Sequence, residues 1–123
     1  MKKYGELAYL IIVESYQPFT FKEYQDKCKD YNLEVTDEDL RFVLDKLIER
    51  KHLEVDKDNE LISLNYEHSN LMDDMALNLQ FSDDVAKLFA KAVNKHDNVN
   101  VCFDYLPEIA KIALDETIRK MMK

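Results

Sequence analysis

Glycine occurs once in this 123-residue chain, at Gly5, proline and cysteine twice each, and tryptophan not at all. A single glycine leaves no glycine-rich loop to cradle a phosphate and no collagen-like repeat. It also leaves too few turn residues for a many-stranded β-sandwich, so helices joined by short turns are favoured. Cys28 and Cys102 stand apart in charged, amphipathic segments with no Cys-x-x-Cys partner, a usage that fits a reducing cytosol better than a disulfide-stapled secreted domain. Long apolar runs are missing too. The longest, Leu7-Ala8-Tyr9-Leu10-Ile11-Ile12-Val13, falls far short of the roughly 20 residues that span a bilayer, and Glu6 and Glu14 flank it. Met1-Lys2-Lys3 precedes that run, but Glu14 follows and no small-residue cleavage site is present, which argues against a secretory signal. A cytoplasmic chain is the expectation.

Positive charge is the other shortage. Against 25 acidic side chains stand 17 basic ones, a formal charge of −8. Such a chain does not coat nucleic acid non-specifically, although one local patch can still bind it. The acidity is spread over both halves, so no basic domain hides behind an acidic tail; Lys2, Lys3, Lys22, Lys27 and Lys29 are the residues that could converge into a patch. Hydrophobic residues at 46% and charged residues at 34% give the balance of a folded chain rather than a disordered one. The length suits one core domain with at most a helical appendage.

Apolar residues at 7, 8 and 10–13 are too dense for a surface helix and predict one buried on most sides, stopped by Gln17-Pro18-Phe19. Thr20 with Glu23 reads as a capping box for a helix to about Tyr31, with Phe21, Tyr24 and Cys28 on one face. Thr36-Asp37-Glu38-Asp39 is a second start signal. Leu40, Val43, Leu44, Leu47 and Ile48 follow it at the spacing of one helix face. His52–Val55 and Glu60–Leu64 alternate around Asp56-Lys57-Asp58-Asn59, a small antiparallel hairpin. The remainder reads as helical: Ser69 to about Leu79, then a helix capped at Ser82-Asp83-Asp84. After a break at Asp97-Asn98 and an extended Val99–Phe103, a last helix opens at Asp104 with Pro107 and runs to about Met122.

The fold class expected is mainly α with a small β-hairpin. The order of three helices and a hairpin, with Leu40, Val43, Leu44, Leu47 and Ile48 leading into Glu49-Arg50-Lys51-His52-Leu53-Glu54-Val55, resembles the third helix and first wing strand of the winged helix-turn-helix superfamily. The resemblance covers residues 4–66 and divides the chain into a winged-helix domain at 1–66 and a helical extension at 67–123. It implies that Thr36 to Lys51 occupies the recognition-helix position, whose N-terminal residues meet base edges in DNA-binding members. The chain departs from the pattern at Lys51 or His52, where such domains usually carry a glycine, so the helix exit must be built differently.

On that helix Asp37, Glu38 and Asp39 would meet phosphates with like charge, and only Arg41, Lys46 and Arg50 offer useful contacts; helix capping alone also accounts for the acids. The hairpin sets Lys57 among Glu54, Asp56, Asp58 and Glu60. A protein partner therefore fits better than DNA, through Glu38, Arg41, Phe42, Asp45, Lys46 and Glu49, with a homodimeric DNA-binding regulator as the rival. Tyr16, Phe19, Tyr31, Phe42 and Tyr66 are the aromatic candidates for contact, Phe42 because it sits off the apolar stripe; its alternative is packing under the wing or against the C-terminal helices.

No catalytic, metal or cofactor site emerges. His52, His68 and His96 lack ligand spacing, Asp73-Asp74 and Asp83-Asp84 sit where capping explains them, and no serine lies in a nucleophile elbow. The wide apolar faces Val85/Leu88/Phe89/Ala92/Val93 and Ile109/Ile112/Ala113/Ile118/Met121/Met122 either cover the N-terminal core or join two copies. For the second role Leu88, Phe89, Ile112, Ile118, Met121 and Met122 are the candidates.

Overall fold

The computed structural model describes residues 4–15, 17–65, 82–95 and 103–122. Five helices and a two-stranded antiparallel hairpin make up these residues: α1 (Tyr4–Glu14), α2 (Phe21–Asp30), α3 (Asp37–Glu49), β1 (Leu53–Asp56), β2 (Leu61–Leu64), α4 (Ser82–Asn94) and α5 (Leu106–Met121). The expectations for Tyr16, Tyr66, His68, the helix from Ser69, the Asp97-Asn98 break, Cys102 and most of the extended 99–103 segment lie outside the described residues.

α1 is the axis of the molecule. Leu7, Ala8, Leu10, Ile11 and Ile12 are all buried, as the density of apolar residues predicts, and α1 packs against α2, α3 and α4. The core continues through Leu40, Val43, Leu44 and Leu47 of α3 and Leu53, Ile62 and Leu64 of the hairpin. On the other side it takes in Phe89, Val93, Phe103, Leu106, Ile109, Ala110 and Ala113. α4 thus supplies the cover that a helix apolar nearly all round must have.

Gly5 explains how α4 comes so close. A Cβ built there would lie 2.5 Å from the carbonyl oxygen and 2.6 Å from the Cα of Ala90, so the α4 backbone rests directly on α1. At the same crossing Gly5 N–H donates to Asn94 Oδ1 at 2.9 Å, and Asn94 Nδ2 donates to both Glu6 carboxylate oxygens at 3.1 Å. Asn94 therefore satisfies a first-turn amide of α1 that has no partner within its own helix.

The predicted capping box at Thr20 forms, and the start signal at Thr36 proves to be a second one. Thr20 Oγ1 accepts from Glu23 N–H and Glu23 returns the bond; Thr36 and Asp39 do the same at the start of α3. α2 and α3 also end alike. Leu33 N–H reaches the Cys28 carbonyl and Asn32 N–H that of Lys29; His52 N–H reaches Leu47 and Lys51 N–H reaches Ile48. These are Schellman closures, which need a left-handed residue, and Asn32 (φ 56°) and Lys51 (φ 64°) supply it. Lys51 thus adopts the backbone usual for a glycine, at some steric cost.

The hairpin pairs Leu53 with Leu64 and Val55 with Ile62. Asp56 accepts from Asp58 N–H and Asn59 Nδ2 across the turn, bonds that hold its carboxyl below the usual carboxylate range, Asn59's side chain contributing most. The outer edge of β2 is partly taken. Phe19 and Ile62 exchange both backbone hydrogen bonds (2.9 and 2.8 Å), and Leu64 N–H donates to Ser15 C=O. The segment after α1, read from Pro18 as a helix stop, is also a short strand partner. Beneath it the Tyr24 hydroxyl bonds Ser15 Oγ at 2.6 Å, and burial pushes this phenol up to about 12.

α5 starts later than the sequence suggests. Its N-cap is Tyr105, without a side-chain capping bond, and Asp104 instead pairs with Arg50 Nε at 2.7 Å. A distant cation competes successfully for the carboxylate that would otherwise cap the helix.

In an ordinary helix Gly→Ala stabilises by about 1 kcal/mol. Here the new methyl meets backbone that cannot yield, so Gly5→Ala is expected to destabilise the protein by about 3 kcal/mol, measured by urea unfolding. A gain in stability would mean that α1 and α4 do not cross at Gly5.

Candidate functional site

The solvent-facing side of α3 is set by the same periodicity that buries Leu40, Val43, Leu44 and Leu47. Asp37, Glu38, Arg41, Asp45 and Glu49 are exposed, which leaves one cation among four carboxylates. The hairpin continues the pattern: Glu54 through Glu60 are all exposed, with Lys57 among Glu54, Asp56, Asp58 and Glu60.

The cations of this region are largely engaged. Arg41 lies over the Phe21 ring, its guanidinium carbon 4.1 Å from the centroid. Lys46 sits 5.4 Å from the Phe42 centroid and 3.6 Å from a Glu49 oxygen. Arg50 binds Asp104 and approaches Glu49 at 3.5 Å. Phe21 as a platform for Arg41 was not legible, since its helical face marked it only as a core candidate.

Of the lysines that could have formed a basic patch, Lys2 and Lys3 lie outside the described residues. Lys27 pairs with Glu14 at 3.7 Å and sits over Phe19. Lys22 and Lys29 are exposed on α2, with Asp26 between them on the same face and exposed as well.

Phe42 takes the packing alternative. It is half-buried, its ring 5.2 Å from Tyr4 and edge-on to Phe103 at 6.3 Å, so it joins α1, α3 and the segment before α5. Phe19 is buried against Tyr24 at 5.5 Å, which removes it from the exposed aromatics. Tyr31 is exposed and donates to Glu14 Oε1. Beside the start of α3 an open groove of about 580 Å³ is lined by Lys29, Leu33, Val35, Thr36 and Asp39 among others, a feature no spacing in the sequence announces.

The C-terminal candidates separate into two groups. Phe89 is wholly buried, 6.0 Å from Tyr9, and Leu88 is half-buried against the core, so both serve the α1–α4 contact. Ile112, Ile118 and Met122 are exposed on α5. Met121 closes α5, and its side chain lies outside what the structure describes.

Among the described residues no three His, Cys, Asp or Glu side chains group as metal ligands. Among the same residues no helix is long and apolar enough to cross a membrane. Cys28 is buried, and burial pushes its thiol up, away from the reactive thiolate form. Comparison with protein-family models, curated proteins and solved structures finds no match to this chain.

Two outcomes follow from these placements. Phe42→Ala should destabilise the fold by about 2 kcal/mol, because it removes the ring that Tyr4 and Phe103 share; an unchanged thermal midpoint would return Phe42 to the surface. His52, buried at the α3–β1 junction, is held below its ordinary value of 6.5, chiefly by burial and secondarily by the Arg50 charge. The unfolded chain therefore binds this proton more readily, and the histidine's contribution is lost as pH falls from above 6.5 through its lowered folded value. Thermal midpoints between about pH 7.5 and 5.5 should fall less in His52→Gln than in the parent; equal falls would show that this histidine is not the group responsible.

Proposed function

We propose that this chain is a non-enzymatic regulatory module of winged-helix architecture that engages a protein partner through the exposed face of α3 and the hairpin. The architectural reading is supported by the order α1-α2-α3-β1-β2, by the Phe19–Ile62 bridge that adds a third edge to the hairpin, and by the left-handed Lys51 where the pattern carries glycine.

One observation carries the choice of partner. Carboxylates point outward from α3 and from the hairpin, whereas Arg41, Lys46 and Arg50 are drawn onto aromatic rings and neighbouring acids. A phosphate backbone approaching this face would meet Asp37, Glu38, Asp45 and Glu49 without a free cation of α3 to displace its counterions. A partner protein with a basic surface meets the same carboxylates favourably. The groove beside it, in which Leu33 and Val35 sit among Lys29, Glu34, Thr36 and Asp39, gives such a partner a recess of mixed polarity next to the charged face.

The test sets DNA and protein binding side by side. The full chain should leave a random-sequence DNA duplex unshifted at low salt. A protein complex recovered from native lysate should weaken by about ten-fold or more in the double variant Asp45→Lys/Glu49→Lys, whose circular dichroism stays that of the parent. DNA retention that falls steeply with salt and is lost on charge reversal at Arg41 and Lys46 would replace this reading with the DNA-binding regulator.

A further inference from the structure

The exposed side of α5 differs in kind from the acidic surface just described. Tyr105, Glu108, Ile112, Asp115, Arg119 and Met122 are all exposed, and they recur at alternating steps of three and four residues, which sets them in one stripe. The stripe lies opposite Leu106, Ile109, Ala110, Ala113 and Thr117, the residues that bury α5 against the rest of the molecule. Tyr105, Ile112 and Met122 are 53%, 58% and 83% exposed, so large apolar side chains stand in water along the length of the helix.

Charge sets α5 apart from α3 and the hairpin, though not from α2, whose ionic side chains also balance. The whole chain carries −8, yet the ionic side chains of α5 balance: Glu108, Asp115 and Glu116 against Lys111, Arg119 and Lys120. A second copy, itself acidic, meets less repulsion here than at α3 and the hairpin. The balance is also ordered, with Glu108 in the first turn and Arg119 and Lys120 in the last. Helix-dipole preference accounts for that order within one helix. It also makes the stripe self-complementary when two copies run antiparallel.

We propose that α5 is a homodimer interface: a second copy of this chain docks antiparallel along the stripe, with Glu108 against the partner's Arg119. A two-fold axis midway between positions 113 and 114 sets each residue opposite the one equally far beyond the axis. Glu108 then faces the partner's Arg119, and in the same register Tyr105 faces the partner's Met122, an aromatic–sulfur contact. Both pairings occur twice per dimer. Ile112 lies next to the two-fold axis, offset by about 4.5 Å along the helix direction from its own symmetry mate, given a rise of 1.5 Å per residue. Asp115, opposite the partner's Ile112, is the weak point of the seam. Ile118 borders the stripe on the Lys111 flank. This interface does not depend on the reading of α3 given above.

Sedimentation equilibrium of the full-length chain, in a concentration series up to about 1 mM, tests the proposal. The mass should rise from the monomer's 14.6 kDa toward twice that value. Glu108→Arg and Arg119→Glu should each weaken the dimer by about ten-fold or more, while the double swap Glu108→Arg/Arg119→Glu recovers it to within about three-fold. Asp115→Leu should tighten it. All three positions altered, Glu108, Asp115 and Arg119, are exposed, and circular dichroism of each variant should match the parent. A monomer at every concentration overturns the proposal, as does an assembly indifferent to both reversals. An assembly lost on both reversals and not recovered by the swap overturns the antiparallel register.

Discussion

The close approach of α1 and α4 is the constraint on which the rest of the fold depends. α1 is apolar around most of its circumference and cannot face water, and the α2–α3–hairpin unit covers it on one side only. α4 must therefore lie along the other side, and the chain has placed its only glycine where the two backbones meet. Without a Cβ at position 5 the helices close to a distance at which Ala90 itself becomes the packing surface. Asn94, one turn further along α4, is then near enough to take up the Gly5 amide and to donate to Glu6. The polar contacts fix the axial position of α4, and Phe89 and Val93 supply the burial. One such buried aromatic removes enough apolar surface from water to contribute a few kcal/mol.

The elements whose signals are local were legible in the sequence. Thr20/Glu23 announces a helix start because a capping box is a contract between residues three apart, and Thr36 followed by three acids announces another because a first turn favours negative charge. The α3 stripe and the hairpin follow from spacing in the same way. The departure at Lys51 is misleading: without glycine the helix exit is expected to be built differently, yet Lys51 takes the left-handed backbone itself and the exit closes as it would with glycine. What was not legible depends on residues far apart in the chain. Nothing near Asp104 says that its carboxylate goes to Arg50, 54 positions earlier, rather than to the first turn of α5. Nothing near Phe19 says that it pairs with Ile62. Helical spacing correctly set Phe42 off the main stripe of α3, but only the arrival of Tyr4 and Phe103 makes that flank an interior contact.

The candidate surfaces divide along the same line. The acidity of α3 and the hairpin is a sequence property, since exposed positions on a regular element can be read from its period. That Arg41, Lys46 and Arg50 are engaged is a tertiary property. It changes the character of the face more than the count of charges does: three cations were nominally available to phosphate, and in the folded molecule each already interacts with a ring or a carboxylate. Exposed ion pairs and cation–π contacts are individually worth only about 1 kcal/mol, yet a ligand that recruits these cations must first break them. An anionic ligand bears that cost at all three cations, whereas a basic one meets the exposed Glu38 and Asp45 and competes with Lys46 and Arg50 only for Glu49, an asymmetry that supports the proposed preference.

The two proposed surfaces are joined by a short mechanical path. Arg50 closes α3 and holds Asp104 at 2.7 Å, and Phe42, two turns earlier, meets Phe103 edge-on. One polar and one aromatic contact therefore fix the end of α3 against the two residues that lead into α5. The ion pair alone would be a weak tie, because Asp104 is more than half exposed and solvent screens it. The half-buried Phe42 ring lies where screening does not reach. A rigid connection of this kind means that, in an antiparallel dimer along α5, the acidic faces of the two copies hold a fixed mutual orientation. Their spacing is then a property of the fold rather than of a linker. A partner that engages both faces at once would gain by that pre-organisation, since neither surface would have to be ordered on binding.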